Sequence, residues 1–391
     1  MIPVKEAQAR LLALATPLSP QSVSLNDAIG YYLTEDIFAK RSQPAADLSA
    51  MDGYAIRFAD LPGPFDIIGE SAAGRPYSDT IAAKQAVRIF TGAHVPGGGD
   101  TILIQEDASV ANDRLVLGGE GPGNVGKHIR RAGADFCSGE KLLAQGTLLT
   151  PGAIATAAMG GHGQLPVGGT PKIAIIASGN ELVPPGETGD AAQIPSSNNI
   201  MLAAMLHSLP CEVHDKGIVE DDLNKLTDAF VDAAGCDILV TSGGASVGDH
   251  DLVQAALVSA GAEIDFWRAA LRPGKPMMAG RLGKTLVLGL PGNPSSAFVT
   301  AFLFLLPLVR YLAGSVSPFP TIQKARIACA LPEGDNRSEY LRAYVEANEI
   351  TPFFSQDSGM VKPLANANAL VIRNAHAPQL NEGDEVEFLT L

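Results

Sequence analysis

The stretch at residues 236–251, CDILVTSGGASVGDHD, joins an apolar run to a loop of glycine, serine and aspartate residues. An apolar run that ends at such a loop is typical of a buried strand followed by a turn. Glycines let backbone N–H groups approach and bind an anion, so Ser242 and its neighbours would hold a phosphate. Asp249 and Asp251 offer oxygen ligands that suit Mg²⁺, although aspartates at a helix start also cap the helix. The stretch therefore predicts a strand whose carboxyl end binds a phosphate, with a metal ion or a helix cap beside it.

Outward from this strand, the chain from Lys172 to about Leu312 alternates strand-like apolar runs with helix-like segments. This alternation predicts a doubly wound α/β domain with a parallel or mixed sheet. Strands are predicted at KIAIIA, CEVHDKGIV, CDILVTS, AEIDFWRAAL and KTLVLGL. Helices are predicted at SSNNIMLAAMLHSL, opened by cap-like serines, at DDLNKLTDAFVDAAG, closed by Gly235, and at HDLVQAALVSAG and SSAFVTAFLFLL.

Three glycine-containing loops would follow the carboxyl ends of these strands, the edge at which open α/β sheets bind ligands. They are SGNEL at 178–182, the loop at 241–251, and GLPGNPSSA at 289–297. One such loop alone is most simply a tight turn, but three at one sheet edge favour an anion site. Arg272 and Lys275 in RPGKP would add positive charge there, arginine as a bidentate donor and lysine as a point charge.

The flanking parts of the chain have a different texture. Before residue 172, short strand-like runs separated by glycine and proline predict mixed α and β structure. After the linker-like SPFPTIQ, the runs KARIACAL, EYLRAYVEA, ALVIRNA and DEVEFLTL predict a small C-terminal β domain. The apolar run AFVTAFLFLLPLV contains Pro307 and stops at Arg310, so we expect a buried helix there rather than a membrane span.

Composition limits the partners of the chain. Its 391 residues carry a formal net charge of -14, with 28 Lys and Arg against 42 Asp and Glu, which disfavours nucleic acid. Cysteines scattered without a CxxC pair favour reduced thiols in the cytoplasm, and MIPVKEAQARLLALA favours an amphipathic helix over a signal peptide. We therefore expect a cytoplasmic globular protein that binds neither nucleic acid nor a membrane.

Several motifs point away from common enzyme classes. GPGNVGKH at 121–128 fits the start of a Walker A loop, but His128 replaces the Ser or Thr that binds magnesium and Gly133 interrupts the following segment. We interpret it as a basic surface turn. The chain contains neither an HExxH pair nor a GxSxG elbow, which disfavours a zinc hydrolase and an α/β-hydrolase. Carboxylates in distinctive settings, each more simply solvated than catalytic when taken alone, are Asp52, Asp135, Glu181, Asp221 and Asp222.

Eight motifs occur together in one order: SAMDGYA, RIFTGAHVP, NVGKHIRRAGAD, SGNEL, TSGGASVGDHD, RPGKP, GLPGNPSSA and SGMVKPLANANAL. In this combination the chain resembles the molybdopterin molybdenumtransferases, that is, the MoeA proteins and the E domain of gephyrin, along nearly its whole length. The resemblance implies an elongated homodimer in which the doubly wound subdomain of one subunit faces a β-rich subdomain of the other. It also implies Mg²⁺-dependent insertion of molybdate into adenylylated molybdopterin, with hydrolysis of the adenylate and release of AMP.

The same resemblance implies boundaries and site residues. The subdomains would be 1–44 with 137–171 for linking and dimerisation, an inserted β-rich 45–136, a molybdopterin-binding 172–314 and a β-barrel at 318–391. Catalytic roles would fall to Asp52, Asp135, Glu181, Asp222, Asp249, Asp251 and Lys275, with Asp249 and Asp251 as metal ligands. The pterin phosphate and adenylate would be bound by Thr91, Gly92, Ser178, Gly179, Asn198, Ser242, Gly243, Gly244, Ser246, Pro291, Gly292, Asn293 and Pro294. Molybdate would be bound by Arg272, Lys275, Ser296, Arg342 and Ser358, while Asp52, Thr91 and Asp135 would come from the partner subunit.

Three places depart from the pattern of that family. Ser196 stands where aspartate is usual, Arg272 where lysine is usual, and Lys362 with Pro363 where a serine pair is common. These departures keep two functions open: an active insertase, served by an adenylyltransferase and serving recipient molybdoenzymes, and a carrier paralogue that binds the pterin or the finished cofactor without chemistry. A third, a molybdopterin adenylyltransferase, would need only residues 172–312, so the additional domains weigh against it.

Overall fold

The computed structural model of the protein describes residues 1–187, 189–243 and 252–391, which form two compact units. We call them the main unit and the inserted unit. The main unit comprises Met1–Glu35, Gln145–Leu149 and Leu165–Leu391, and the inserted unit comprises Asp36–Ala144 and Thr150–Gln164. The boundaries of the four subdomains stay a prediction.

A mixed sheet of six strands forms the centre of the main unit. The four strands at one side run parallel to one another, and the fifth is antiparallel to both of its neighbours. The predicted doubly wound domain is confirmed, and its sheet is mixed, as the prediction of a parallel or mixed sheet allowed. The spatial order is Glu212–Val219, Lys172–Ser178, Ile238–Ser242, Thr285–Leu290, Pro276–Leu282 and Ala262–Arg268.

The strand Pro276–Leu282 is absent from the sequence prediction, and two of its residues explain why. Its sequence, PMMAGRL, carries a proline and a glycine, residue types that are depleted in strands. Pro276 occupies the first position, where proline is tolerated. A Cβ atom at Gly280 would overlap backbone atoms of Glu263 in the neighbouring strand, so glycine allows these two strands to approach closely.

Helices cover both faces of this sheet because successive strand residues point to opposite faces. On one face, strand side chains pack with the helices Val4–Leu14, Asn198–Leu206 and Pro294–Leu312. On the other face, they pack with the helices Leu223–Ala233 and Leu252–Ser259. Both sides of the central strands are therefore apolar, as expected for strands in a doubly wound fold.

The helix Pro294–Leu312 contains a π-helical segment, Ala301–Leu305, between the α-helical segments Pro294–Thr300 and Leu306–Leu312. Within the described residues, it alone is long and apolar enough to cross a membrane by length and composition. However, 83% of its most apolar window is buried inside the protein. The prediction of a buried helix is confirmed, although the helix is longer than expected because it continues through Arg310.

Two predicted helix ends differ from the structure. Ser197 precedes the helix Asn198–Leu206 with φ -89° and ψ -25°, a helical conformation, and its side chain makes no capping hydrogen bond. The prediction that serines cap this helix is wrong, because a capping residue needs an extended backbone. Leu223–Ala233 is followed by a right-handed Ala234, and Gly235 does not take the left-handed conformation that closes a helix.

The C-terminal part of the main unit is a closed barrel of five strands, which confirms the predicted β-barrel. Closure leaves no open edge, because the last strand in the order pairs back with the first. A short strand, Leu271–Arg272, pairs in parallel with Ser338–Glu346 and joins the barrel to the segment that connects Ala262–Arg268 with Pro276–Leu282. The order around the barrel is Ser338–Glu346, Glu349–Pro352, Ile322–Ile327, Glu385–Thr390 and Ala369–Arg373.

The inserted unit has its own six-stranded mixed sheet and the helix Pro151–Met159, which Thr150 caps by accepting a hydrogen bond from the Ala153 N–H. The predicted mixture of α and β structure is confirmed. The strand order is Thr101–Ile104, Gly53–Ile56, Gln85–Ile89, Phe65–Ser71, Arg114–Leu117 and Ala108–Ala111.

Shorter strands of the chain are Gln21–Ser24, Ile37–Phe38, Leu48–Ser49, Ile129–Arg130, Lys141–Leu143, Gln164–Val167, Leu182–Val183 and Ile194–Pro195. Short 3₁₀ helices are Leu25–Asp27, Phe58–Asp60, Gln105–Asp107 and Lys362–Ala365.

Candidate functional site

Loops at the carboxyl ends of the central strands and loops of the barrel enclose a cavity of about 990 Å³ in the main unit. Ligands of open α/β sheets bind at this edge, so the cavity is the candidate site. The sheet side is lined by 177–179, 181–182, 194–198, Asp221, 242–243, 291–294 and Ser296. The barrel side is lined by 272–276, Arg337, 356–359 and Val361.

The cavity brings together most of the residues that the sequence nominated for binding. Those of the sheet side meet because parallel strands end at one edge of the sheet, whereas Arg272, Lys275 and Ser358 come from the barrel side. Their individual roles stay predictions. The nominated residues on the cavity are Ser178, Gly179, Glu181, Asn198, Ser242, Gly243, Arg272, Lys275, Pro291, Gly292, Asn293, Pro294, Ser296 and Ser358.

Gly243 and Asn198 hold the strand-end loops together. Gly243 has φ +96°, and a Cβ atom there would overlap the backbone oxygen of Ser178, so only glycine fits. The Asn198 amide nitrogen donates to Ser242 Oγ at 2.7 Å and to the Gly292 oxygen at 2.8 Å. Its Oδ1 atom is buried and accepts no hydrogen bond within the described residues. A buried acceptor left unpaired costs about 1–3 kcal/mol.

Asp221 organises the acidic side of the cavity. Its Oδ1 accepts a hydrogen bond from Ser178 Oγ at 2.5 Å, and its Oδ2 accepts one from the Asn180 N–H at 3.4 Å. The Asp221 N–H in turn donates to Asn180 Oδ1 at 3.0 Å. This reciprocal set of bonds fixes the loop that carries Glu181 at the cavity.

The nomination of Asp222 as catalytic is not supported by its position. Asp222 is the N-cap of the helix Leu223–Ala233, and its Oδ1 accepts hydrogen bonds from the Asn224 and Lys225 N–H groups, both at 2.9 Å. It does not line the cavity, whereas its neighbour Asp221 does. Sequence alone does not show which of two adjacent aspartates caps a helix, because it predicts the first residue of a helix only to within a residue or two.

Arg272 and Lys275 bring positive charge to the barrel side. Arg272 Nη1 lies 3.3 Å from Glu339 Oε1, an ion pair that follows from the parallel pairing of these two residues. Lys275 is exposed and makes no hydrogen bond or ion pair within the described residues. Between them, Gly274 has φ +111°, and a Cβ atom there would overlap Thr300 Oγ1. The loop therefore packs tightly on the helix that carries Ser296.

Arg342 occupies a different place from the one that the resemblance implies. It is fully buried and lies behind the loop 355–360 instead of on the cavity. Its side-chain N–H groups are all donated to protein atoms, so none remains for molybdate, and burial lowers the pKa of the guanidinium. The acceptors are Gln356 Oε1 at 3.4 Å, Ser295 Oγ at 2.6 Å, and the backbone oxygens of Met360 at 3.0 Å, Ser355 at 3.4 Å and Asp357 at 2.9 Å.

The loop that Arg342 holds presents Ser358 to the cavity. Ser358 Oγ accepts a hydrogen bond from the Asn293 amide at 2.9 Å, and its backbone oxygen accepts one from the Ser295 N–H at 3.1 Å. Sequence analysis missed the neighbours Gln356 and Asp357 and also Arg337, all of which line the cavity. Arg337 immediately precedes the strand Ser338–Glu346, so no strand periodicity indicated it.

Asp52, Thr91, Gly92 and Asp135 lie in the inserted unit. The Asp52 Oδ1 atom accepts hydrogen bonds from the Thr91 N–H at 2.7 Å and the Thr91 hydroxyl at 2.9 Å. These bonds, the backbone one first, lower the pKa of Asp52 below its ordinary value. Gly92 has φ +82°, and the exposed Asp135 donates its N–H to the Gln43 oxygen at 2.9 Å. Asp52 is thus held in the ionised form on an accessible surface.

The nominated Gly244, Ser246, Asp249 and Asp251 lie outside the described residues, and so does the metal site that the two aspartates would form. In the described ranges, no group of three or more His, Cys, Asp and Glu side chains is arranged to hold a metal ion. Asp249 and Asp251 as metal ligands stay a prediction.

Three parts of the chain match described protein families. Residues 2–161 match the MoeA N-terminal region (domain I and II), residues 174–311 a probable molybdopterin binding domain, and residues 324–391 the MoeA C-terminal region (domain IV). The three matches follow one another along the chain in the order that the sequence motifs indicated.

Known proteins resemble the chain over its whole length. The molybdopterin molybdenumtransferase of Haemophilus influenzae is 31% identical over 396 residues, covering 99% of this chain and 98% of that protein. That of Staphylococcus aureus is 30% identical over 400 residues, covering 99% and 95%. The crystal structure of the molybdopterin biosynthesis MoeA protein from Pyrococcus horikoshii OT3 has a TM-score of 0.84 at 26% identity, with full coverage of both chains. The chain therefore belongs to the molybdopterin molybdenumtransferase family, the MoeA proteins, which are enzymes of molybdenum cofactor biosynthesis.

Proposed function

We propose that the protein inserts molybdate into adenylylated molybdopterin in an Mg²⁺-dependent reaction, hydrolyses the adenylate and releases AMP. The observation that carries this proposal is the cavity, in which strand-end glycines, cations and carboxylates line one space. Its volume of about 990 Å³ is at the upper end of the range for small-molecule sites, about 300–1,000 Å³. That size suits a pterin nucleotide together with a tetrahedral oxyanion.

The two sides of the cavity would bind different parts of the substrates. On the sheet side, Gly243 lets the backbone approach a phosphate, and Ser178 and Ser242 line the same space. On the barrel side, Arg272 and Lys275 donate to oxyanions, and Ser358 adds a hydroxyl. Holding both reactants in one enclosed space would supply much of the rate acceleration by orientation.

Magnesium fits the donor set of the sheet side. Both carboxylate oxygens of Asp221 already accept protein hydrogen bonds, whereas the Glu181 carboxylate accepts none within the described residues. Mg²⁺ takes one or two carboxylates together with substrate phosphates, so Glu181 would serve with Asp249 and Asp251. When bound, the ion would neutralise charge on the phosphoanhydride.

We infer that the protein works in the cytoplasm as a homodimer whose inserted unit completes the cavity of the partner subunit. Asp52 supports this inference, because its carboxylate is oriented by Thr91 and still exposed. Mixing Asp52→Asn subunits with Lys275→Gln subunits should restore activity that neither variant has, since some mixed dimers contain one intact site. A chain that is monomeric by its mass in solution would contradict the inference.

The reaction is tested with purified protein, adenylylated molybdopterin, Mg²⁺ and molybdate. We expect molybdate-dependent release of AMP and a product that activates an apo-molybdoenzyme, the class of protein that would receive the cofactor. Lys275→Gln should abolish most of this turnover, whereas Lys324→Gln, a lysine in a surface ion pair on the barrel, should not. A molybdopterin adenylyltransferase would supply the substrate in the cell.

A carrier without chemistry is a second candidate, and Ser196 is the observation that favours it. Ser196 lines the cavity, and its buried hydroxyl has no hydrogen-bond partner within the described residues, at a position where the resembling family usually has a carboxylate. Tight binding of adenylylated molybdopterin without AMP release would select the carrier. In that case, Ser196→Asp would be the first variant expected to gain turnover.

A further inference from the structure

We propose that Arg337 is a third cation of the cavity and donates hydrogen bonds to a tetrahedral oxyanion, either molybdate or a substrate phosphate. This inference rests on the proposed function, because it names a further binding residue for the same reaction. Arg337 lies on the cavity near Arg272 and Lys275, yet the sequence motifs do not include it.

Backbone pairing places Arg337 beside Arg272. The short strand Leu271–Arg272 pairs in parallel with the start of Ser338–Glu346, with Leu271 opposite Ser338. The Ser338 N–H also donates to the Ala270 oxygen at 3.0 Å, so this junction is held by backbone hydrogen bonds. Arg337 immediately precedes the pair and therefore cannot move far from the RPGKP loop.

Asp335 fixes Arg337 while leaving part of its guanidinium available. The two oxygens of Asp335 accept hydrogen bonds from the Arg337 N–H at 2.8 Å and from Arg337 Nη2 at 2.9 Å. Arg337 Nε and Nη1 make no hydrogen bond within the described residues, and a quarter of the side chain, 25%, is exposed. A guanidinium has five N–H donors in a rigid fork, so those not bound to Asp335 remain for a ligand.

Arg272 and Arg337 act on a common space. Both arginines lower the pKa of Asp335, Arg337 mainly through its hydrogen bonds and Arg272 through its charge. Each arginine also has its own carboxylate, Glu339 for Arg272 and Asp335 for Arg337. The carboxylates orient two forks toward one cavity, and Lys275 adds a charge without a partner among the described residues. This arrangement matches the several oxygens of a tetrahedral dianion.

The contrast with Arg342 makes the assignment specific. Arg342 lies on the strand Ser338–Glu346, which Arg337 immediately precedes, but its five side-chain N–H groups all bind protein acceptors, and its exposure is 0%. Of Arg337 and Arg342, only Arg337 has side-chain N–H groups without an acceptor among the described residues, and only Arg337 lines the cavity. We therefore assign to Arg337 the anion contact that resemblance alone would give to Arg342.

The test compares Arg337→Gln with Arg326→Gln, an exposed barrel arginine whose Nη1 binds the Gly383 oxygen. Binding of molybdate, with sulfate as a second probe, is measured by calorimetry at constant ionic strength, and KM values are measured from AMP release. Loss of charged hydrogen bonds should weaken oxyanion binding about 10- to 100-fold in Arg337→Gln. Arg337→Lys should recover part of the loss, and Arg326→Gln should match the unaltered protein.

The arms distinguish the source of the oxyanion. A higher Kd for molybdate assigns Arg337 to molybdate, and a higher KM for adenylylated molybdopterin alone assigns it to the phosphate. If neither value changes in Arg337→Gln, the proposal is overturned. If Arg337→Gln lowers the thermal midpoint, the double variant Asp335→Asn with Arg337→Gln removes the unpaired carboxylate and gives the same comparison. Unaltered protein that binds molybdate but releases no AMP would reject the proposed reaction while still testing Arg337.

Discussion

The two walls of the cavity are held in different ways. The strand-end wall stands on loops that leave buried strands directly, so the backbone of the sheet fixes it. The barrel-side wall stands on irregular segments, which one buried arginine and one short strand pair hold. The strand-end wall consists of Ser178, Glu181, Asn198, Asp221 and Gly243, and the barrel-side wall of Arg272, Lys275, Arg337 and 356–359.

The difference predicts where substitutions act. A wall built on strands should tolerate changes to its side chains unless the backbone itself is forced to move. A wall held by side-chain hydrogen bonds should collapse when a single residue outside the cavity is lost. The following substitutions test that contrast, from the largest expected effect to the smallest.

Arg342→Met should have the largest effect, because it removes the support of the barrel-side wall. The change leaves the backbone oxygens of Ser355, Asp357 and Met360 without their donors, and we expect the free energy of unfolding to fall by about 3–5 kcal/mol. Chemical denaturation measures the loss, with Arg326→Met as the exposed control. A stable Arg342→Met protein with normal anion binding would show that the loop does not depend on this arginine.

Gly243→Ala tests the backbone of the strand-end wall. An alanine at φ +96°, with its Cβ against the Ser178 oxygen, should destabilise the protein by about 2 kcal/mol and widen the wall. Gly217→Ala is the matched control in the same sheet, since φ is also positive there but nothing lies within 4 Å of the added atom. Equal losses in the two variants would mean that the close approach to Ser178 is unimportant.

Asp221→Asn and Asp222→Asn separate two neighbouring carboxylates. Asp221→Asn removes one acceptor of the clamp on Ser178 and Asn180, so we expect KM for the adenylylated substrate to rise about tenfold. Asp222→Asn should leave KM and stability nearly unchanged, because asparagine caps a helix as well as aspartate does. Steady-state AMP release measures both, and the reverse order of effects would restore Asp222 as the functional residue.

Thr91→Val should have the smallest effect, confined to the titration of Asp52. It removes the hydroxyl donor and keeps the backbone one, so the lowered pKa of Asp52 should rise part of the way to its ordinary value. Because the folded pKa is depressed, the interaction is fully present above the ordinary pKa and is lost as pH falls through the lowered value. Carboxyl NMR titration measures the shift, and an unchanged titration would contradict the role of the hydroxyl.

The two walls also differ in how far sequence could predict them. Alternating apolar runs predict the order of strands and helices, and parallel strands end at one edge of a sheet, so the sequence could place Ser178, Ser242 and Asn293 near one another. The barrel-side wall depends on which loop residues turn inward, and no periodicity governs that. Arg337, Gln356 and Asp357 were missed for this reason.

The sequence did not reveal three details of the structure, each for a local reason. Asp221 and Asp222 are adjacent, and the exact residue at which a helix starts decides which of them caps it. The strand Pro276–Leu282 was not predicted because it contains proline and glycine, which are depleted in strands, although it lies between two neighbouring strands of the sheet. Arg342 looked like a ligand because sequence reveals the charge of a residue but not which acceptors use it.

The pairing of Leu271–Arg272 with Ser338–Glu346 has a consequence for the lifetime of the site. Proteins open in cooperative parts whose opening free energies differ, and a small barrel and a helix-covered sheet form such parts. When the barrel opens, the segment that carries Arg272 loses its partner strand, even while the central sheet stays closed. The cavity therefore stays intact only while both the sheet and the barrel are folded. Hydrogen exchange of barrel amides such as the Ser338 N–H should report how often the cavity opens.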